Sequence, residues 1–199
     1  MGSPKSKRPD LQRAAIAIND FLDALGIDRS ADPELERTGE RVAEAFANDL
    51  LGGYALDPVT ILSERMPHTG SSAVIVTSIQ TVIMCPHHLL PASGMVHVGY
   101  APNREVVGLG AIARLVHCFG QRLVLQETLG QQIVDALVTV LGARGAMCVA
   151  HLSPTCLTAR GERKHGAEVV TVATAGQFQQ DATARAEMLS ALRVAVPSV

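Results

Sequence analysis

Cys85-Pro86-His87-His88 places a soft thiolate and two imidazoles within four residues, directly after a β-branched run. Zinc favours sulfur and nitrogen donors in a tetrahedral set, and catalytic zinc sites leave one position open for water. Cys85 with His88 or His87 supplies two ligands, so a third has to come from elsewhere in the chain. Cys156, in Pro154-Thr155-Cys156-Leu157-Thr158-Ala159-Arg160-Gly161, is the best candidate. A single Cys-x-x-His lacks the partner motif of a zinc finger, and the competing reading is a buried cysteine beside two surface histidines.

The elements that must position these groups follow from periodicity. Leu11, Ala14, Ala15, Ile18, Phe21, Leu22 and Leu25 recur at helical spacing, with Gly26 as the stop. A second helix is predicted from Pro33 to Leu51, ended by Gly52-Gly53. Residues 54–72, with Pro58, Pro67 and Gly70, read as an irregular connection. The period then changes: Ala73–Met84 reads as a strand, Pro91-Ala92-Ser93-Gly94 as a turn, and Met95–Tyr100 as a second strand. Helices are predicted from Gly108 to Arg122 and from Leu125 to Leu141. Strands follow at Ala146–Leu152 and Val169–Ala175, then a last helix at Ala182–Val194. Residues 1–9 are expected to be a disordered tail, 10–72 an N-terminal helical region, and 73–199 the domain that carries the chemistry. The β-β-α-α-β-β order gives an α+β fold, an antiparallel sheet covered on one face by helices. Open edges on such a sheet favour pairing with neighbouring copies in a closed ring.

Composition narrows the function classes. The 199 residues are 47% hydrophobic and 18% charged, a globular balance, and only 3% are aromatic, so the core must be aliphatic. A net charge of −2 gives no general attraction to nucleic acid or to an anionic membrane, so any phosphate has to be held by a few local arginines. No apolar run is long enough to span a bilayer. The four cysteines (Cys85, Cys118, Cys148, Cys156) come without a secretory signal, which sets the expectation of a cytoplasmic protein with reduced thiols.

Taken together, the motifs resemble the GTP cyclohydrolase I family, zinc enzymes of the tunnelling fold (T-fold), from about Thr38 to Leu192. The family's Cys-x-His-His is Cys85 to His88, and its Gly-Leu before an Arg-bearing helix is Gly108-Leu109 with Arg114. Its glutamine-rich helix is Gln121-Arg122, Gln126-Glu127 and Gln131-Gln132. The distal Cys-x-x-x-Arg-Gly is Cys156 to Gly161. The C-terminal signature is Gly176, Phe178, Arg185, Glu187 and Leu189. The resemblance implies zinc held by Cys85, His88 and Cys156, activating water for attack at purine C8. It implies that His87 transfers protons to the purine. Glu127, with Gln126 beside it, would recognise the guanine N–H edge, and Arg41, Arg114 and Arg160 would bind the triphosphate. It also implies a purine nucleotide substrate, GTP or a relative, and a homo-oligomer, a decamer, with active sites between subunits.

Three positions depart from that pattern. The family's second proton-transfer His, two residues before the distal Cys, is Pro154 here. His151 and His165 are the conceivable substitutes, although strand alternation puts His151 on the opposite face from Pro154. The family's Ser-Lys after Gly-Leu is Gly110-Ala111, which removes a triphosphate contact, and its acidic residue between Cys and His is Pro86. The expected reaction is GTP to 7,8-dihydroneopterin triphosphate plus formate. The departures keep two alternatives: a diverged cyclohydrolase that acts on another guanine derivative or stops at the formamidopyrimidine, and a non-catalytic purine- or pterin-binding T-fold protein. His97 and His117 match no motif and are read as structural.

Overall fold

A computed structural model describes residues 8–194; residues 1–7 of the expected tail lie outside the described residues. Helix α1 (Leu11–Ala24) starts where the Asp10 carboxylate accepts the Arg13 N–H. It packs on α2 (Thr38–Glu44) across Gly39, where a Cβ would come within 2.5 Å of the Ala15 carbonyl oxygen.

The helix predicted over 33–51 is not continuous. Asp32 caps a 3₁₀ turn at Pro33–Leu35, Arg37 leaves helical geometry at φ −113°, and α2 then widens into a π-helical turn at Ala45–Leu50. A capped proline turn and a π-turn both preserve a helix-like hydrophobic spacing, so periodicity alone does not separate them from one helix. The connection at 54–72 is also more ordered than expected. It holds α3 (Pro58–Ile61), capped by Asp57, and β1 (Arg65–Pro67).

The main sheet contains β2 (Val74–Met84), β3 (Pro91–Ala101), β5 (Gly145–Pro154) and β6 (Val169–Gly176), antiparallel in the order β2-β3-β5-β6. Between β3 and β5 run β4 (Glu105–Val107), which pairs with β1, then α4 (Leu109–Gly120) and α5 (Gln126–Thr139). Both helices cover one face. Ile112, Leu115 and Val116 from α4, and Leu129, Ile133 and Leu137 from α5, are fully buried against Val96, Val98, Ala150 and Leu152. Truncating one such leucine to alanine costs about 2–5 kcal/mol.

Pro91–Gly94 is the start of β3, not a turn. The reversal lies earlier: the Cys85 N–H donates to the Leu90 carbonyl and the Leu89 N–H to the Cys85 carbonyl. Gly94 serves close approach, because a Cβ there would collide with the His151 carbonyl across the ladder. In β2 a bulge between Val76 and Ile79 puts Ser78 at φ +58°, and its N–H donates to Nδ1 of the buried His97.

On the other face, α7 (Gln177–Gln180) and α8 (Ala182–Val194) cover one end through Phe178, Met188 and Leu192, packed with Ala101 and Met147. The rest is open. Met95, His151 and Val170 form one cross-strand row there, and Val82 and Val172 are exposed with them.

Candidate metal centre and active site

The β2–β3 hairpin carries the first two donors. Its loop is closed by the two backbone bonds between Cys85 and Leu89 or Leu90, and Leu89 is held at φ +53°, a conformation that a leucine adopts only under local constraint. This turns His88 back on Cys85, with His88 Nδ1 3.9 Å from Cys85 Sγ. His87 diverges, its ring centroid 6.2 Å from that of His88 and the planes 86° apart.

The third donor arrives on α6 (Thr155–Thr158), the single turn after β5. In the ladder Met84 pairs with Pro91 and Ala92 with Pro154, so the end of β2 and the end of β5 flank the start of β3. Donor atoms of Cys85, His88 and Cys156 consequently lie within 4.8 Å of one another. A tetrahedral zinc with sulfur at about 2.3 Å and nitrogen at about 2.0 Å separates its donors by roughly 3.5–3.8 Å. The 3.9 Å spacing of Cys85 and His88 suits such an ion, and the S, N, S set leaves a fourth position for water or substrate. Both cysteines are half-buried and in no disulfide.

The other two cysteines belong to the core. Cys148 is fully enclosed, and burial pushes its thiol up to about 12. Burial also raises Cys118, which lies 3.3 Å from the Arg122 guanidinium. Arg122 is itself buried, donates to the Gly53 and Leu56 carbonyls and stacks against Tyr54 and Phe119, so this motif arginine anchors the 53–56 segment to the end of α4.

Of the expected anion ligands, Arg160 reaches the cluster: its Nη1 is 2.8 Å from His88 Nε2. Arg114 is exposed on α4, its Nη1 beside Gly110, and Arg41 is exposed on α2, where it donates to the Glu34 carbonyl. Glu127 is exposed in the first turn of α5. Gln126 is buried, and its amide donates to the Ala150 carbonyl at 2.9 Å and the Val169 carbonyl at 2.8 Å, which fixes the α5 N-terminus over β5 and β6. Among the described residues no hydrogen bond joins Arg41, Arg114 or Glu127 to the Cys-His-Cys cluster.

At the departing positions, Pro154 is half-buried as the N-cap of α6, and Ala111 is 4% exposed within the main core. His151 is exposed on the face opposite Ala150 and Leu152, its Nε2 2.6 Å from a Glu168 oxygen. His165 is exposed in the loop that follows α6.

Sequence reasoning missed Thr155. Its hydroxyl donates to the Pro91 carbonyl at 2.6 Å and ties α6 to the strand that leaves the Cys85 loop. A threonine beside a cysteine carries no signal of a partner 64 residues away.

The profile of the family described as GTP cyclohydrolase I matches residues 14–193. GTP cyclohydrolase 1 of Mycobacterium leprae is 40% identical over 188 residues, covering 94% of this chain and 91% of that protein. GTP cyclohydrolase 1 of Corynebacterium glutamicum is 39% identical over 186 residues, covering 92% and 94% respectively. Among solved structures, the apo form of the archaeosine synthase QueF-Like aligns with 54% of this chain and 97% of its own at 19% identity and a TM-score of 0.45, too slight a likeness to argue from. A family profile spanning nearly the whole chain, and relatives matched along nearly their whole length, agree with the motif order from Cys85 to Leu189: this chain belongs to the GTP cyclohydrolase I family.

Proposed function

We propose that this protein catalyses zinc-dependent hydrolytic opening of the imidazole ring of GTP, yielding 7,8-dihydroneopterin triphosphate and formate. The observation that carries the reading is the convergence of Cys85, His88 and Cys156 in a chain aligned along its length with proteins named GTP cyclohydrolase 1. When bound by these three residues, zinc supplies Lewis-acid activation of water for attack at C8.

The chain's own residues supply the rest. His87 is exposed beside His88, its ring edge-on to that of His88 and outside the Cys-His-Cys cluster, and its imidazole exchanges protons with the purine. Glu127 accepts from the guanine N–H edge. A purine lacking that edge would leave the carboxylate unpaired, which gives the site its base selectivity. Gln126 holds the helix turn that presents Glu127. Arg41, Arg114 and Arg160 bind the triphosphate through charge-assisted hydrogen bonds.

Among the described residues no hydrogen bond joins Arg41, Arg114 or Glu127 to the Cys-His-Cys cluster, which suits a site completed by a neighbouring subunit. The outer edge of β6 has no strand partner among the described residues, that of β2 meets only the single Met84–Leu123 bridge, and Val82, Met95, Val170 and Val172 stay exposed on the open face. Edge-to-edge pairing of T-fold domains, residues 73–199, would bury these edges in a ring, which we take to be the decamer of the family. No helix among the described residues is long and apolar enough to cross a membrane, and the free thiols suit the reducing cytoplasm.

Pro154 favours a second reading, in which the protein acts on another guanine derivative or stops at the formamidopyrimidine. It offers no proton, and His151 is held by Glu168 on the other face. Incubating the zinc-loaded protein with GTP, guanosine and guanine, followed by mass and pterin absorbance, tests both. Dihydroneopterin triphosphate from GTP is the expected product. A ring-opened end product, or turnover of guanosine or guanine alone, would establish the second reading. A zinc-loaded protein that turns over none of the three would overturn both.

A further inference from the structure

Arg160 donates from Nη1 to His88 Nε2 at 2.8 Å, and His88 is at the same time the nitrogen donor of the candidate metal centre. A guanidinium carries only N–H groups and stays charged, so the ring nitrogen it meets must present a lone pair. A neutral imidazole has one lone pair and one N–H. With Nε2 accepting from Arg160, the proton sits on Nδ1, the nitrogen that faces Cys85 Sγ at 3.9 Å. A metal cannot join this arrangement at either nitrogen. On Nε2 it would need the lone pair that Arg160 uses. On Nδ1 it would send the ring proton to Nε2, where one N–H would face another on a cation. The two occupants of His88 exclude each other by donor and acceptor count, with no change in the net charge of the ring.

The rest of Arg160's surroundings make this exclusion consequential. Its side chain is exposed and makes no ion pair with a carboxylate among the described residues. It stands four residues after Cys156, so a guanidinium released from His88 remains tethered beside the centre. We propose that Arg160 is a two-position switch that couples metal loading to anion binding: it caps His88 or it grips a phosphate next to the metal, and a metal on His88 forces the second. The inference rests on the reading of Cys85, His88 and Cys156 as the metal centre. Binding linkage is reciprocal, so metal tightens the anion and the anion tightens the metal by the same factor, about tenfold through this one arginine.

The test is a binding cycle that needs no turnover. Affinity for inorganic triphosphate is measured by calorimetry with chelated and with zinc-loaded protein, for the native chain and for Arg160→Ala. Direct attraction between zinc and the anion contributes to both chains, whereas the switch contributes only to the native one. The expected result is a zinc-induced gain about tenfold larger in the native protein than in Arg160→Ala. Equal gains would overturn the proposal, provided that zinc binds stoichiometrically to both chains. Imidazole ¹⁵N spectra of the chelated protein give an independent readout: His88 is expected to carry its proton on Nδ1, and zinc should move it to Nε2. A proton already on Nε2 in the chelated protein would also overturn the proposal. If zinc is not bound at all, the metal-centre reading falls and the switch with it, and the stoichiometry separates that outcome from failure of the switch alone.

Discussion

The Thr155 hydroxyl and the Pro91 carbonyl, 2.6 Å apart, join the turn that carries Cys156 to the strand that leaves the Cys85–His88 loop. Neither residue is a candidate ligand, yet their bond ties together the two distant parts of the chain that carry the candidate ligands. Thr155→Val keeps the shape and removes the donor, leaving a half-buried carbonyl unpaired. Stability should fall by about 1 kcal/mol, read as a lowered urea midpoint, and zinc affinity should weaken several-fold in a chelator competition. Unchanged zinc affinity would mean that the ladder alone sets the ligand spacing.

Cys156→Ala should abolish stoichiometric zinc while the fold survives. The side chain is half-buried and lies outside both hydrophobic clusters, so the loss falls on the metal rather than on the core. Metal analysis by mass spectrometry together with far-ultraviolet circular dichroism checks this. A variant that retains one zinc per chain would place the ion elsewhere.

The positions that depart from the family should respond unequally to restoration. Pro154 is half-buried at the head of α6, and Pro154→His should raise pterin formation from GTP by tenfold or more, taking about 10²–10⁴-fold as the usual worth of a positioned acid or base. Ala111 is 4% exposed in the core. Ala111→Lys has to thread a charged chain out of apolar packing, and it should destabilise the fold by about 1–3 kcal/mol before any gain in triphosphate affinity appears. Thermal melting beside product assays separates the effects. A folded Pro154→His variant no better than the native protein would count against a missing proton donor at this position.

How much of this was legible before the structure depends on the range of each interaction. The stripe of Leu129, Ile133 and Leu137 is local and periodic, and α5 lies where it predicts, over Gln126–Thr139. The 33–51 segment misled because its breaks come from capping and dihedral changes that spare the hydrophobic spacing. Gly94 suggested a turn because glycine permits turns, but here it permits β5 to approach. Cys85 and His88 were legible from a four-residue spacing, while Cys156 had to be chosen by residue type and resemblance. The Thr155–Pro91 and Arg160–His88 contacts span 64 and 72 residues, and such pairings leave no trace in local sequence.

The sheet should lose stability in mild acid through His97. Burial, reinforced by the nearby His151, holds its imidazole below the usual 6.5. Its Nδ1 also accepts the Ser78 N–H, a role that protonation would end. The unfolded chain therefore takes up a proton first as the pH falls. The stabilising contribution is complete above about 6.5 and is lost on going below it, with a slope of at most about 1.4 kcal/mol per pH unit. His97→Gln retains an acceptor without a titrating ring, so its denaturation midpoints should vary less between pH 7 and 5 than those of the native protein. Parallel curves would assign the acid sensitivity to other groups.

Thiol chemistry should divide the four cysteines into two pairs. Cys118 and Cys148 are fully enclosed, burial raises both thiols, and that of Cys148 reaches about 12, so neither offers thiolate or access at neutral pH. Cys85 and Cys156 are half-buried at the mouth of the hairpin and can be approached. A disulfide reagent applied to the chelated, folded protein should titrate two thiols, and four once the chain is denatured. In the proposed centre zinc would take the reactive pair as ligands, so loading it should cut the fast-reacting count towards zero and leave the denatured count at four. Peptide mapping of the alkylated residues identifies which pair reacted. Fast labelling that persists at Cys85 and Cys156 in zinc-loaded protein would show that these sulfurs do not hold the metal, whereas protection of both, lost on chelation, would tie the ion to the hairpin and to the turn that Thr155 holds against it.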